Sequence, residues 1–191
     1  VLKNIHPISN CTYPGHKTVY DEDEWWDGPM HDTVDIYGYT KKAIAIASKA
    51  LRAEGLDTVQ LIFPNMYGPG DHLDPVRAHA LGAILSRLVQ AKKNNIDAVA
   101  IWGSGAPIRE WLHVADAVDA IVKFIECKAP DMPINISSGV GVSIKELAEK
   151  LRNIIDKKII LEFDTTKPDG ALVKILKPSP FLMKINWLPS Y

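Results

Sequence analysis

Helix-forming segments alternate with short apolar runs along most of this chain, and that alternation restricts the fold more than any other feature. The stretch "TKKAIAIASKALRAEG" (40–55) has helical composition and ends on Gly55, a residue suited to a helix C-terminus. "TVQLIF" (58–63) reads as a buried strand and leads into the turn-rich "PNMYGPGD". A second helix, "AHALGAILSRLVQAKKN", precedes the strand "AVAIW" (98–102), which runs into "GSGAP". In "VADAVDAIVKFIEC" the residues Val114, Ala117, Val118, Ile121, Val122 and Ile125 form one stripe, predicting an amphipathic helix that buries that face. "INI" (134–136) is a short strand, Ser143 and Glu146 form a capping box opening "IKELAEKLRNII", and "KKIILEF" (157–163) is a final strand. The expectation is an α/β fold with a largely parallel sheet.

Composition removes several classes of function. With 191 residues, 47% of them hydrophobic, the chain can bury a real core. A formal net charge of −1 gives no electrostatic reason to bind nucleic acid or an anionic membrane. No apolar run approaches the roughly 20 residues a bilayer span requires, and "VLKNIHPISN" has no signal-peptide pattern. Two cysteines are too few for a disulfide framework, which points to a reduced, cytoplasmic setting. The six histidines show no metal-ligand spacing, so no metal is expected.

"IYGYTKKA" (36–43) holds two tyrosines and two lysines. Residues four apart share a helix face, which pairs Tyr37 with Lys41 and leaves Lys42 without a tyrosine. A phenol titrates near ~10, and a cation held beside it favours the ionised form. Such a pair can exchange a proton with a substrate oxygen; the plain alternative is a half-buried packing tyrosine. Upstream, "ISNCTYPG" offers the hydroxyls of Ser9 and Thr12 to a substrate carbonyl.

Taken in order, "ISNCTYPG", the Tyr37–Lys41 pair, "FPNMYGPGD", "WGSGAPIREWLHVADAV", "INISSGVGVSIKELA" and "DTTKPDG" resemble the extended short-chain dehydrogenase/reductase family acting on nucleotide sugars, also called the NAD-dependent epimerase/dehydratase family. Within it the resemblance is to the epimerase-reductases of GDP-4-keto-6-deoxymannose, and it runs from about Ile8 to about Trp187. It implies the C-terminal part of a Rossmann-like parallel sheet, with residues 1–68 the remainder of the dinucleotide-binding domain. Residues 69–191 would be mainly a small α/β nucleotide-sugar-binding region, with some segments returning to the Rossmann-like part. The implied cofactor is NADP, with NAD the alternative; the implied partners are a GDP-linked sugar and a second copy in a homodimer.

The resemblance also implies roles. Ser9 would orient the substrate's 4-keto oxygen, Tyr37 would protonate it, and Lys41 would lower the tyrosine pKa and hold the nicotinamide ribose. Cys11 and His79 would exchange the protons at C3 and C5, which a neighbouring ketone acidifies; a thiol and an imidazole suit that exchange. His79 would also touch the cofactor. Asn65, Trp102, Arg109 and Lys167 would bind substrate, Arg109 offering a planar fork to pyrophosphate. The plain readings are a surface ion pair between Arg109 and Glu110, a solvated Lys167, a buried Cys11 and a surface His79. His72 reads as a loop residue, His113 as structural, and Trp25 and Trp26 as a surface loop over the site.

The sequence departs from the family in lacking the glycine-rich dinucleotide turn; "GSGAP" has neither the third glycine nor the helix behind it. "KILKPSP" also differs from the usual C-terminal phrase, and "NWLPSY" stands before the closing helix that the resemblance leads one to expect. Two other readings stay open: a 4-epimerase or 4,6-dehydratase of the same fold, and a non-catalytic nucleotide-sugar-binding remnant.

Overall fold

The segment "DTVQLIF" is buried from Thr58 to Phe63, on both of its faces, as suits a strand covered on both sides. The computed structural model describes residues 3–74, 78–128 and 130–191. In chain order its elements begin with β1 (Lys3–Ser9), β2 (Val19–Tyr20), α1 (Asp35–Ala53), β3 (Asp57–Phe63), β4 (Asn65–Tyr67), α2 (Ala80–Asn94), β5 (Ala98–Trp102) and β6 (Ile108–His113). They continue with α3 (Val114–Glu126), β7 (Ile134–Asn135), β8 (Gly141–Ser143), α4 (Ile144–Ile155), β9 (Ile160–Asp164), β10 (Val173–Leu176) and α5 (Phe181–Lys184). The chain divides into two units, the first holding residues up to Met66, Glu110–Val140 and Lys174–Tyr191, the second Tyr67–Arg109 and Gly141–Val173.

In the first unit β3 is central, flanked by β1 and β7, and both pairings are parallel. The register runs from Lys3 opposite Asp57 to Ser9 opposite Phe63, and sets Leu61 opposite Ile134. Side chains alternate across a strand. Val59, Leu61 and Phe63 therefore pack with Ala117, Ala120 and Phe124 of α3, while Ile62 faces Ala45 of α1. Helices on both faces are what a parallel sheet needs. In a second sheet the order is β2, β10, β6, β4.

Two helix expectations needed adjustment. α1 starts at Asp35, earlier than its composition suggested, so Tyr37 stands in its first turn; it ends as expected at Gly55, whose φ of +92° leaves its amide donating to Arg52 O at 3.0 Å. The predicted face of α3 is corrected: Ala117, Ala120 and Phe124 are buried, whereas Val114, Val118, Val122 and Ile125 are exposed. This helix is apolar on more than one side, and periodicity alone cannot choose between apolar faces.

The second unit is built on the parallel pair β5–β9, from Ala98 opposite Ile160 to Trp102 opposite Asp164. Val99 and Ile101 are buried while Ala100 and Trp102 face solvent. Helices α2 and α4 pack together. The capping box forms as expected: Glu146 N donates to Ser143 Oγ at 3.1 Å, and Ser143 N to Glu146 Oε2 at 2.9 Å. Among the described residues no helix is long and apolar enough to cross a membrane, and no group of three or more His, Cys, Asp or Glu could hold a metal ion.

Candidate functional site

The first unit gathers four of the expected residues at the C-terminal end of β1. In parallel α/β sheets this is the end where ligands bind. Ser9 closes the strand and caps the single turn Asn10–Thr12, its Oγ accepting from Cys11 N at 3.2 Å. The first turn of α1 lies directly against it. A Cβ on Gly38 would fall 3.0 Å from Cys11 O and 2.9 Å from Met30 Cγ, so the helix approaches as closely as a glycine allows. On that helix Lys41 Nζ sits 5.7 Å from the centre of the Tyr37 ring, the pairing expected from the four-residue spacing.

The electrostatics differ from the expectation. Tyr37 is 49% exposed, yet its phenol is held above its ordinary pKa, first by desolvation and then by the Cys11 charge. Lys41 does not offset that desolvation, so the expected lowering is not found. A raised phenol stays protonated near neutrality and can donate.

Three neighbours were misread from sequence. Thr12, proposed for a substrate carbonyl, is fully buried; its hydroxyl donates to Ser9 O at 2.8 Å and accepts from Trp25 Nε1 at 2.7 Å. Trp25 is 1% exposed and belongs to the core, while Trp26 is the exposed member of the pair. Glu110, read as a surface partner of Arg109, is 0% exposed. Its Oε1 accepts from Ser137 Oγ (2.7 Å), Ser138 N (2.8 Å), Ser138 Oγ (3.1 Å) and Gly139 N (3.2 Å), and its Oε2 from Leu176 N (2.9 Å). Asn65 donates through Nδ2 to Glu110 O at 3.0 Å. His113 is structural, as read: its Nδ1 accepts from Ala115 N, and its ring lies 4.3 Å from that of Tyr191.

The second unit carries a cationic cluster around an exposed ring. Trp102, 61% exposed, has the Arg87 guanidinium 5.3 Å and the Lys167 ammonium 5.9 Å from its ring. Gly170 lies beside Arg109, whose Nη1 donates to Ile108 O at 2.8 Å. The "DTTKPDG" loop is clipped to "GSGAP" by Asp169, which accepts from Ser104 N and Ser104 Oγ, both at 2.7 Å. Those hydrogen bonds, then the nearby Arg109 charge, hold the Asp169 carboxyl below its ordinary pKa. Gly103, at φ +82°, admits the clip, since a Cβ there would lie 2.3 Å from Asp169 Oδ1. His79 is exposed just before α2 and makes no side-chain cap.

Thus Ser9, Cys11, Tyr37 and Lys41 come together in one unit, with Asn65 also there, while Trp102, Lys167, Arg109 and His79 belong to the other. Arg87 and Asp169 were not singled out from sequence, and Glu110 was seen only as a surface partner of Arg109. Ser104 and Asp169 are 65 residues apart, and nothing local links Arg87 to Trp102.

The chain matches the model of the NAD dependent epimerase/dehydratase family over residues 2–137. It is 34% identical to GDP-L-fucose synthase 1 of Arabidopsis thaliana over 99% of its own length. It is also 34% identical to the GDP-L-fucose synthase of Escherichia coli, over 94%. In each case it spans 59% of the relative. A crystal structure of a GDP-L-fucose synthetase from Naegleria fowleri bound to NADP superposes with a TM-score of 0.88 at 24% identity, covering 100% of this chain and 63% of that one. At that identity the likeness concerns the fold.

Proposed function

This chain belongs to the NAD dependent epimerase/dehydratase family, and on that premise we propose that it carries the catalytic and sugar-binding residues of a GDP-L-fucose synthase-like epimerase-reductase. The proposed reaction inverts C3 and C5 of a GDP-4-keto-6-deoxy-hexose and reduces its C4 ketone. The observation that carries this reading is the contact of the Ser9–Cys11 turn with the helix presenting Tyr37 and Lys41. A simple 4-epimerase has no use for a thiol beside the tyrosine.

Ser9 Oγ orients the 4-keto oxygen. Cys11 in the first unit and His79 in the second are the two groups proposed to exchange the protons that the ketone acidifies. Tyr37, kept protonated by desolvation and by the Cys11 charge, delivers its proton to the C4 oxygen as the alcohol forms. NADP, when bound, supplies the hydride. The residues fit that cofactor on one side: Tyr37 is half exposed and Lys41 lies on the same helix face, placed to meet ribose hydroxyls, with His79 the further proposed contact. Arg109, Lys167 and Arg87 hold the diphosphate, Trp102 offers its ring, and Asn65 completes the substrate side.

In this reading the first unit is the Rossmann-like part, and the second is mainly the nucleotide-sugar region. The protein acts in the cytoplasm as a homodimer, which the exposed apolar residues Ile36, Tyr39 and Ile46 of α1 support. The test is NADPH oxidation with GDP-4-keto-6-deoxymannose in deuterated water. Substrate-dependent oxidation with deuterium at C3 and C5 is expected. Oxidation without deuterium incorporation would reduce the proposal to a 4-ketoreductase, and neither signal would overturn it.

A further inference from the structure

A buried run of hydrogen bonds ties the Ser9–Cys11 turn to the helix that carries Tyr37. Lys42, next along α1 from Lys41, donates from Nζ to Trp25 O at 2.5 Å. Its ammonium also lies 5.1 Å and 5.0 Å from the Trp25 and Trp26 rings. The indole N–H of the same Trp25 donates to Thr12 Oγ1 at 2.7 Å, and the Thr12 hydroxyl donates to Ser9 O at 2.8 Å. Lys42, Trp25 and Thr12 are all buried, so water cannot replace a lost partner. The backbone approach at Gly38 limits how near the helix comes to Cys11 O, but a residue with no side chain does little to stop the turn sliding along it.

We propose that Thr12, Trp25 and Lys42 are positioning residues that fix the Ser9–Cys11 turn against α1, and so set where Ser9 and Cys11 stand relative to Tyr37. This rests on the roles proposed above for those three residues. A ketone held by Ser9, protonated by Tyr37 and flanked by the Cys11 thiol must meet all three at bonding distance. An error near one ångström in such a constellation costs on the order of a hundredfold in rate. The relay explains why two residues that looked available to substrate or solvent are sealed inside. It also separates the lysines of "TKKA": Lys41 lies with the tyrosine, and Lys42 anchors the helix.

The deciding measurement does not depend on turnover. Cys11 alkylation by iodoacetamide is followed by peptide mass spectrometry, with the other thiol, Cys127, as internal reference. Thr12→Val keeps the side-chain shape and removes both hydrogen bonds; it should change the Cys11 rate about three- to tenfold relative to Cys127, the equivalent of one net hydrogen bond. Thr12→Ser should restore the wild-type rate. Lys42→Met reads the other end of the relay and serves if Thr12→Val does not fold. In the NADPH assay, Thr12→Val should lower kcat about tenfold or more with KM unchanged. Unaltered Cys11 reactivity in Thr12→Val and Lys42→Met would overturn the proposal, as would a KM effect without a kcat effect. A wild-type protein with no reductase activity would sink the functional reading, while the thiol result would still decide this one.

Discussion

The two units hold their functional side chains in opposite ways. In the first, Ser9, Cys11 and Tyr37 are held with little freedom by the buried Thr12–Trp25–Lys42 relay and the Gly38 contact, and the same unit buries the filled carboxylate of Glu110 on β6 of the second sheet. In the second, the Lys167 ammonium lies 5.9 Å from the exposed Trp102 ring, and Arg87 adds to its own ring contact a single hydrogen bond from Nη1 to Ala100 O at 2.9 Å. The difference matches the proposed tasks. Proton transfer needs fixed geometry before substrate arrives, whereas long cations binding a diphosphate can remain solvated and take their order from the ligand. Changes to the buried supports of the first unit should therefore act on kcat and stability, and changes to the Trp102 cluster of the second on KM.

The sharpest break of that comparison is Tyr37→Phe. It removes a proton donor on a half-exposed surface, so reduction should fall about 10²- to 10⁴-fold with an unchanged melting temperature, while deuterium exchange at C3 and C5 survives. Full reductase activity in this variant would remove Tyr37 from its role. Next is Glu110→Ala, which strands several buried donors and should cost about 3 kcal/mol or more by urea unfolding; a loss below about 1 kcal/mol would show that the carboxylate is not holding those segments. In the second unit, Trp102→Ala should raise KM about two- to fivefold, since ring contacts at exposed sites are worth roughly 0.5–1 kcal/mol, with kcat and melting unchanged. A kcat effect of equal size would erase the distinction between the units.

The smallest effect concerns Glu22, whose Oε1 accepts from Asn135 N at 2.6 Å. Burial raises its pKa above 4.5, partly countered by that hydrogen bond. A carboxyl with a raised folded-state pKa stabilises the fold fully below its unfolded value, and the contribution is lost as pH rises through the folded value. Glu22→Gln should match wild type below about pH 4 and melt a few degrees higher at pH 7, at about 2–4 °C per kcal/mol. A constant difference across that range would exclude the titration.

Local pattern made much of the fold legible. β5 has the predicted bounds, the capping box forms as written, and Gly55 ends α1 because only a local backbone need is involved. The strands β1, β2, β4, β6, β8 and β10 were not read, because two to seven residues of mixed character carry no period that their own sequence could show. The spacing of Tyr37 and Lys41 was legible for the same local reason. The fate of Thr12 and Trp25 was not, since each depends on a partner brought in from another element.

The order of residues by itself determined an alternating α/β chain, the face shared by Tyr37 and Lys41, and the phrases that mark its family. Those properties repeat over three or four residues or are read as words. Only the tertiary structure decided that Lys42 is an internal anchor, that Glu110 is a filled buried carboxylate, that α3 buries its alanine face, and that the Tyr37 phenol is raised rather than lowered. Each of these is a question of what surrounds a side chain. Desolvation and the donors that meet a buried group come from segments distant in sequence, and they exist only once the chain has folded.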